Sequence, residues 1–164
     1  MNAKQFCDWQ TAGGTDDVMR LVDCRERADL LWCAIGGIAV NRWAKEPVVT
    51  QDVDFVVATD AVERATRALE DAGFRADHQP WSIHFKGRSQ VVLQLSTEAF
   101  CGEFASRAVP ANVHGILMRV ASLHDTLRQA ARMGRHDPAA IPFASAAATG
   151  DPVGQTPLTV RRPR

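Results

Sequence analysis

The run Ile35-Gly36-Gly37-Ile38-Ala39-Val40-Asn41-Arg42, followed by Thr50-Gln51-Asp52-Val53-Asp54-Phe55-Val56-Val57, decides how this chain reads. Leu30 to Ile35 contains no polar residue and predicts a buried strand. Gly36-Gly37 breaks that run, and Ile38 to Ala44 predicts a short helix with Arg42 and Lys45 near its end. Pro47 punctuates the chain. The β-branched segment Val48 to Val57 then predicts a second strand, carrying two aspartates two residues apart.

This order of elements favours phosphate and metal chemistry. Glycines at a strand-to-helix turn let a ligand approach the backbone, and the N–H groups opening the following helix attract an anion. Residues i and i+2 of a strand share a face, with Cα atoms roughly 6–7 Å apart, so Asp52 and Asp54 can both reach a cation between them. Hard carboxylate oxygens suit Mg²⁺, commonly held by one or two carboxylates and substrate phosphates. Val53, Phe55 and Val57 point to the opposite face, where a core holds the strand. Taken singly, a diglycine is a tight turn and Asp-x-Asp a solvated edge. Their order, with a helix between, points instead to a nucleotide and metal site.

Working outward, residues 1–14 form a polar lead-in. Thr15 is expected to cap a helix with Asp16 and Asp17 in its first turn and Val18, Leu21 and Val22 on its apolar face. Asp60-Ala61-Val62-Glu63 resembles a capping box, opening a helix that runs to Ala72 and stops at Gly73. Phe74–His78, Trp81–Lys86 and Gln90–Ser96 predict strands, the last two joined by Gly87-Arg88-Ser89. Val113–Val120 predicts a further strand, and Ser122 caps a helix from Leu123 to Met133 that Gly134 ends. Most of the eight prolines lie beyond Gly134. Residues 1–134 are therefore expected to fold as one domain, and 135–164 to form an irregular Pro- and Ala-rich tail with a basic end at Arg161, Arg162 and Arg164.

A chain of 164 residues supports one domain with a sizeable core. Lys plus Arg and Asp plus Glu are both 19, so zero net charge argues against strong nonspecific nucleic-acid binding. Hydrophobic residues at 46% and charged residues at 23% exclude wholesale disorder, collagen and coiled coil. No apolar run approaches the roughly 20 residues of a membrane span, and the N-terminus lacks a signal-peptide core, so the expected compartment is the cytoplasm. Cys7, Cys24, Cys33 and Cys101 have no Cys-x-x-Cys spacing and read as reduced, mostly buried thiols rather than a zinc site.

The diglycine, helix and Asp-x-Asp strand together resemble the nucleotidyltransferase superfamily of the polymerase-β kind. More closely, the chain resembles the small bacterial AbiEii-type toxin nucleotidyltransferases and their uncharacterised relatives over roughly residues 18–133, where Val120 to Leu127 is similar to their helix-opening segment. The resemblance implies an α/β (α+β) fold, a mixed sheet of about five strands flanked by helices. It implies a nucleoside triphosphate lying against Gly36 and Gly37, and one or two Mg²⁺ ions held by Asp52 and Asp54, the catalytic pair. Thr50 and Arg42 are candidates for phosphate contact, Arg42 equally for a solvated helix end. The implied reaction moves a nucleoside monophosphate onto an RNA, protein or small-molecule acceptor. A toxin-like or abortive-infection role would bring an antitoxin partner.

Two departures stand out. Active members carry a third carboxylate on a later strand, but Gln90–Ser96 contains no acid; Gln94 or Val92 stands near that place, and Glu98 just past the strand end is the nearest substitute. The Lys- and Asp-containing helical continuation of such proteins is replaced by the Pro- and Ala-rich segment. The sequence thus supports an enzyme or, alternatively, a catalytically inactive nucleotide-binding or protein-interaction module. His84 reaches the cleft if the hairpin borders it; otherwise it is a structural or surface histidine. Arg64, Arg67 and Arg75 interleave with Glu63, Glu70 and Asp71 and read as a solvated face before an RNA-binding stripe.

Overall fold

The computed structural model describes residues 13–44, 50 and 52–133. The expected tail at 135–164, Cys7, Lys45, Gln51 and the first part of the Val48–Val57 strand lie outside these residues. The described chain runs α1 (Gly14–Arg27), β1 (Trp32–Ala34), α2 (Gly36–Trp43), β2 (Val53–Val57), α3 (Val62–Asp71), β3 (Arg75–His78), β4 (Ser82–Lys86), β5 (Val92–Ser96), β6 (Val109–Val113), β7 (Ile116–Val120) and α4 (Leu123–Met133), with short 3₁₀ turns between some of them. The strands form a mixed sheet ordered β3-β4-β5-β2-β1-β7-β6. Pairing is parallel at β1–β7 and β2–β5 and antiparallel elsewhere.

The sheet has seven strands, where the sequence suggested about five. The Val113–Val120 candidate is the second half of a hairpin that begins at Val109: His114 and Gly115 both adopt positive φ and turn the chain between β6 and β7. Pro110 and Asn112 hide β6 from a propensity reading. Proline is tolerated there because β6 is an edge strand with one unpaired side.

Alternation along the strands divides the sheet into two different faces. On one, Phe55 and Val57 of β2, Leu93 and Leu95 of β5, Ile83 and Phe85 of β4, Trp32 and Ala34 of β1 and Met118 and Val120 of β7 pack with Val18 and Leu21 of α1 and Ala65 and Leu69 of α3. On the other, a smaller cluster of Cys33, Ile35, Ala39, Val56, Cys101, Phe104, Ala105 and Ala121 covers the β2–β1–β7 half. Burial of Cys33 and Cys101 bears out the structural reading of these thiols, and it pushes their pKa values up to about 12 and about 11.

Two of the three expected caps differ in detail. Gly13, in the left-handed conformation, precedes α1, so Thr15 sits inside the first turn, where its buried hydroxyl has no hydrogen-bond partner among the described residues. Asp60 lies in a 3₁₀ turn before α3, which has no side-chain cap. Ser122 does cap α4: the Asp125 amide donates to Ser122 Oγ at 3.2 Å. No helix among the described residues is long and apolar enough to cross a membrane.

Candidate active site at the diglycine and the paired aspartates

The site forms where β1 ends, α2 begins and β2 starts. The Ile35 amide donates to the Asp54 carbonyl at 2.8 Å, so the end of the buried strand is tied to the acid-bearing one. The helix predicted from Ile38 begins two residues earlier and takes both glycines into its first turn. Gly36 has φ +57°, a left-handed conformation that favours glycine. A Cβ on Gly36 would run into the Asp54 carboxylate; one on Gly37 would lie 2.6 Å from Thr50 Cβ. Absence of side chains at both positions is what lets the helix start close over Asp54 and Thr50.

Asp54 is partly buried and Asp52 exposed, in the bend just before β2. Burial, and then the Asp52 charge, push the Asp54 pKa up to about 6. Two acids close together in a partly buried place raise one another's proton affinity in this way. Thr50 Oγ1 donates to the Asp52 carbonyl at 2.9 Å, fixing the approach to β2. Gly36, Gly37, Thr50, Asp52 and Asp54 are thus brought together. Arg42 is not: it lies in the last turn of α2, about 9 Å along the helix from Gly36, with its guanidinium 4.6 Å from the centre of the Trp43 ring.

Strand order resolves the place of the missing third acid. Parallel pairing sets Gln94 directly beside Asp54. Gln94, rather than Val92, therefore occupies the neighbouring position on the same face. Glu98 does not substitute: it lies beyond the end of β5 and pairs with Arg132 of α4 at 3.5 Å. Among the described residues, no three His, Cys, Asp or Glu side chains cluster as a metal centre.

Two supporting residues escaped the sequence reading. The Gly36 amide donates to Gln129 Oε1 at 3.0 Å, so α4 meets the opening of α2. Asp17, buried on α1, accepts from the Arg88 amide at 3.2 Å, the Ser89 amide at 2.8 Å and Ser89 Oγ at 2.6 Å, holding the β4–β5 turn. Nothing local marks either residue, since their partners lie far away in the chain.

No protein-family model and no curated protein sequence matches the chain. The likeness lies in solved structures. ANT(2'')-Ia in complex with adenylyl-2''-tobramycin aligns with TM-score 0.58 and 14% identity over 80% of this chain and 86% of that one. The lincosamide antibiotic adenylyltransferase LnuA, lincomycin-bound, aligns with TM-score 0.57 and 14% identity over 80% and 96%. An antigenic nucleotidyltransferase-like protein from Paracoccidioides brasiliensis aligns with TM-score 0.54 and 16% identity over 77% and 71%. With the site at the end of β1 and the start of β2, and with this sheet, the chain has the nucleotidyltransferase fold.

Proposed function

We propose that the protein transfers a nucleoside monophosphate from a nucleoside triphosphate to an acceptor hydroxyl, using Mg²⁺, with residues 1–134 as the working unit. The observation that carries this reading is the closure of Gly36 over Asp54, a partly buried carboxylate with the charge of Asp52 beside it. A divalent cation fits this pair, because Mg²⁺ takes one or two carboxylates and fills its remaining positions with water and phosphate oxygens. When bound, it supplies positive charge to the triphosphate and lowers the electrostatic cost of holding both acids ionised. Gly36 and Gly37 let the opening of α2 sit directly against Asp54 and Thr50, which brings the backbone beside the cation that would carry the phosphates, and Thr50 holds the Asp52 bend in place. Arg42 is set aside as a phosphate contact on its position.

Small-molecule hydroxyls lead the acceptor classes, because two of the structural neighbours are an adenylyltransferase acting on an antibiotic and a complex with an adenylylated one. RNA and protein acceptors, and a toxin role with an antitoxin partner, rest on the sequence resemblance alone. A second reading, a nucleotide-binding module without turnover, is favoured by one observation: the residue beside Asp54 is the amide Gln94.

The test incubates the full chain with each ribonucleoside triphosphate labelled at the α-phosphate, Mg²⁺, and tobramycin, lincomycin or total RNA. Label transfer that Asp52→Ala and Asp54→Ala abolish is the expected result. Triphosphate binding that needs both acids, without transfer, supports the module. Binding and transfer both indifferent to the acids would overturn the site.

A further inference from the structure

Transfer to a hydroxyl needs a group to accept its proton, and Asp52 and Asp54 are committed to the cation. The register of the sheet shows which side chains come next. Asp54 of β2 pairs with Gln94 of β5, Gln94 with His84 of β4, and His84 with Asp77 of β3. Directly paired residues share a face, so these four form one row across the sheet, on the side away from the main core. Gln94 and His84 are half-buried and Asp77 is exposed. Gln94 is an amide and cannot take up a proton. His84 is the first group along the row that can.

We propose that His84 is the general base for the acceptor hydroxyl, with Gln94 beneath that hydroxyl as a hydrogen-bonding rest; this rests on the nucleotidyl-transfer reading above. Two strand spacings separate the Asp54 and His84 Cα atoms by about 10 Å. A hydroxyl above Gln94 lies between them, within reach of the imidazole on one side and the cation site on the other. His84 Nε2 lies 3.2 Å from Ser82 Oγ on the same strand face. In the tautomer that donates Nε2–H to Ser82, Nδ1 carries the free lone pair.

The step balances as follows. A lone pair of the acceptor oxygen forms the new bond to the α-phosphorus. The bond from that phosphorus to the bridging oxygen breaks, its electron pair leaving on pyrophosphate. The hydroxyl proton passes to His84 Nδ1. Among the described residues, the sheet register places Asp77 directly across on β3, Lys86 on β4 and Arg75 opposite Lys86 near the imidazole, with Asp54 beyond Gln94. Asp77 stands nearest in the row, paired with His84 across β3 and β4.

The test compares wild type with His84→Gln and His84→Ala in the full chain, using the triphosphate and acceptor that give the most transfer in the screen above. Expected are a fall in kcat of about 100-fold or more, triphosphate KM and binding within about twofold of wild type, and recovery of at least tenfold in His84→Ala on adding imidazole. A merely structural histidine would not show imidazole rescue with binding intact. Wild-type kcat in His84→Gln, or loss of triphosphate binding in step with kcat, overturns the assignment and leaves nucleotidyl transfer standing. Absence of transfer in wild type overturns both.

Discussion

Asp54 sets the site's function against the fold's stability. Its pKa is pushed up to about 6, above the ordinary value of 3.8. Between those values the folded chain holds a proton that the unfolded chain has lost, so stability falls as pH rises through that window. Above pH 6 the ionised acid costs the fold roughly 2–3 kcal/mol. Asp54→Asn is therefore expected to raise the melting temperature at pH 7.5 in EDTA and to leave it nearly unchanged below pH 4. Mg²⁺ should stabilise wild type and not the variant. Melts across pH 4–8 with and without Mg²⁺ read both effects, and an unchanged melting temperature at pH 7.5 counts against a destabilising Asp54 charge.

At the scale of elements, the β4–β5 hairpin carries His84 and Gln94, and α1 holds its turn. Burial pushes the Asp17 carboxyl up, but the Ser89 and Arg88 hydrogen bonds and the Arg20 guanidinium outweigh it and hold it below its ordinary value. A lowered pKa contributes stability that is present above the unfolded value and is lost as pH falls through the folded one. Asp17→Ala should cost about 3 kcal/mol at pH 7, since it strands a set of donors. It should also flatten the acid limb of the stability profile. Urea titrations at pH 7 and at pH 2, well below the ordinary carboxylate value of 3.8, test this; an equal cost at both would contradict the charge-based account. The elements also show where the sequence could be read. Gly36, Gly37, Asp52 and Asp54 were legible because a turn and a strand alternation are local. The Asp17–Ser89 and Gly36–Gln129 bonds were not, because they join residues distant in the chain. Gln94 became the neighbour of Asp54 only once the order of strands was known. Val109–Val113 was missed because edge strands admit residues, here Pro110 and Asn112, that strand propensities discourage.

For the whole molecule, the most exceptional residue of the core is Arg25. It is 0% exposed, its three guanidinium nitrogens have no hydrogen-bond partner among the described residues, and it stacks 4.6 Å from the centre of the Phe55 ring. Burial lowers its pKa to about 10. The ring offsets part of the desolvation, by about 2 kcal/mol at most for a buried pair. Arg25→Met keeps the packing and removes the buried charge. It is expected to stabilise the fold by about 1–3 kcal/mol, read as a higher urea midpoint with unchanged slope; a lower midpoint would show that the cation contributes more than it costs.

The parallel pairing of Ala34 with Val120 has a consequence for how the chain is made. β1 lies inside the sheet, yet one of its two neighbours comes almost last among the described residues. On a ribosome, β1 and the diglycine emerge early and then wait with one side unsatisfied until Ile116–Val120 has been synthesised. Such distant pairing slows folding. Until β7 arrives, the bare edge of Trp32–Ala34 is the segment that a chaperone would shield or a second nascent chain would find.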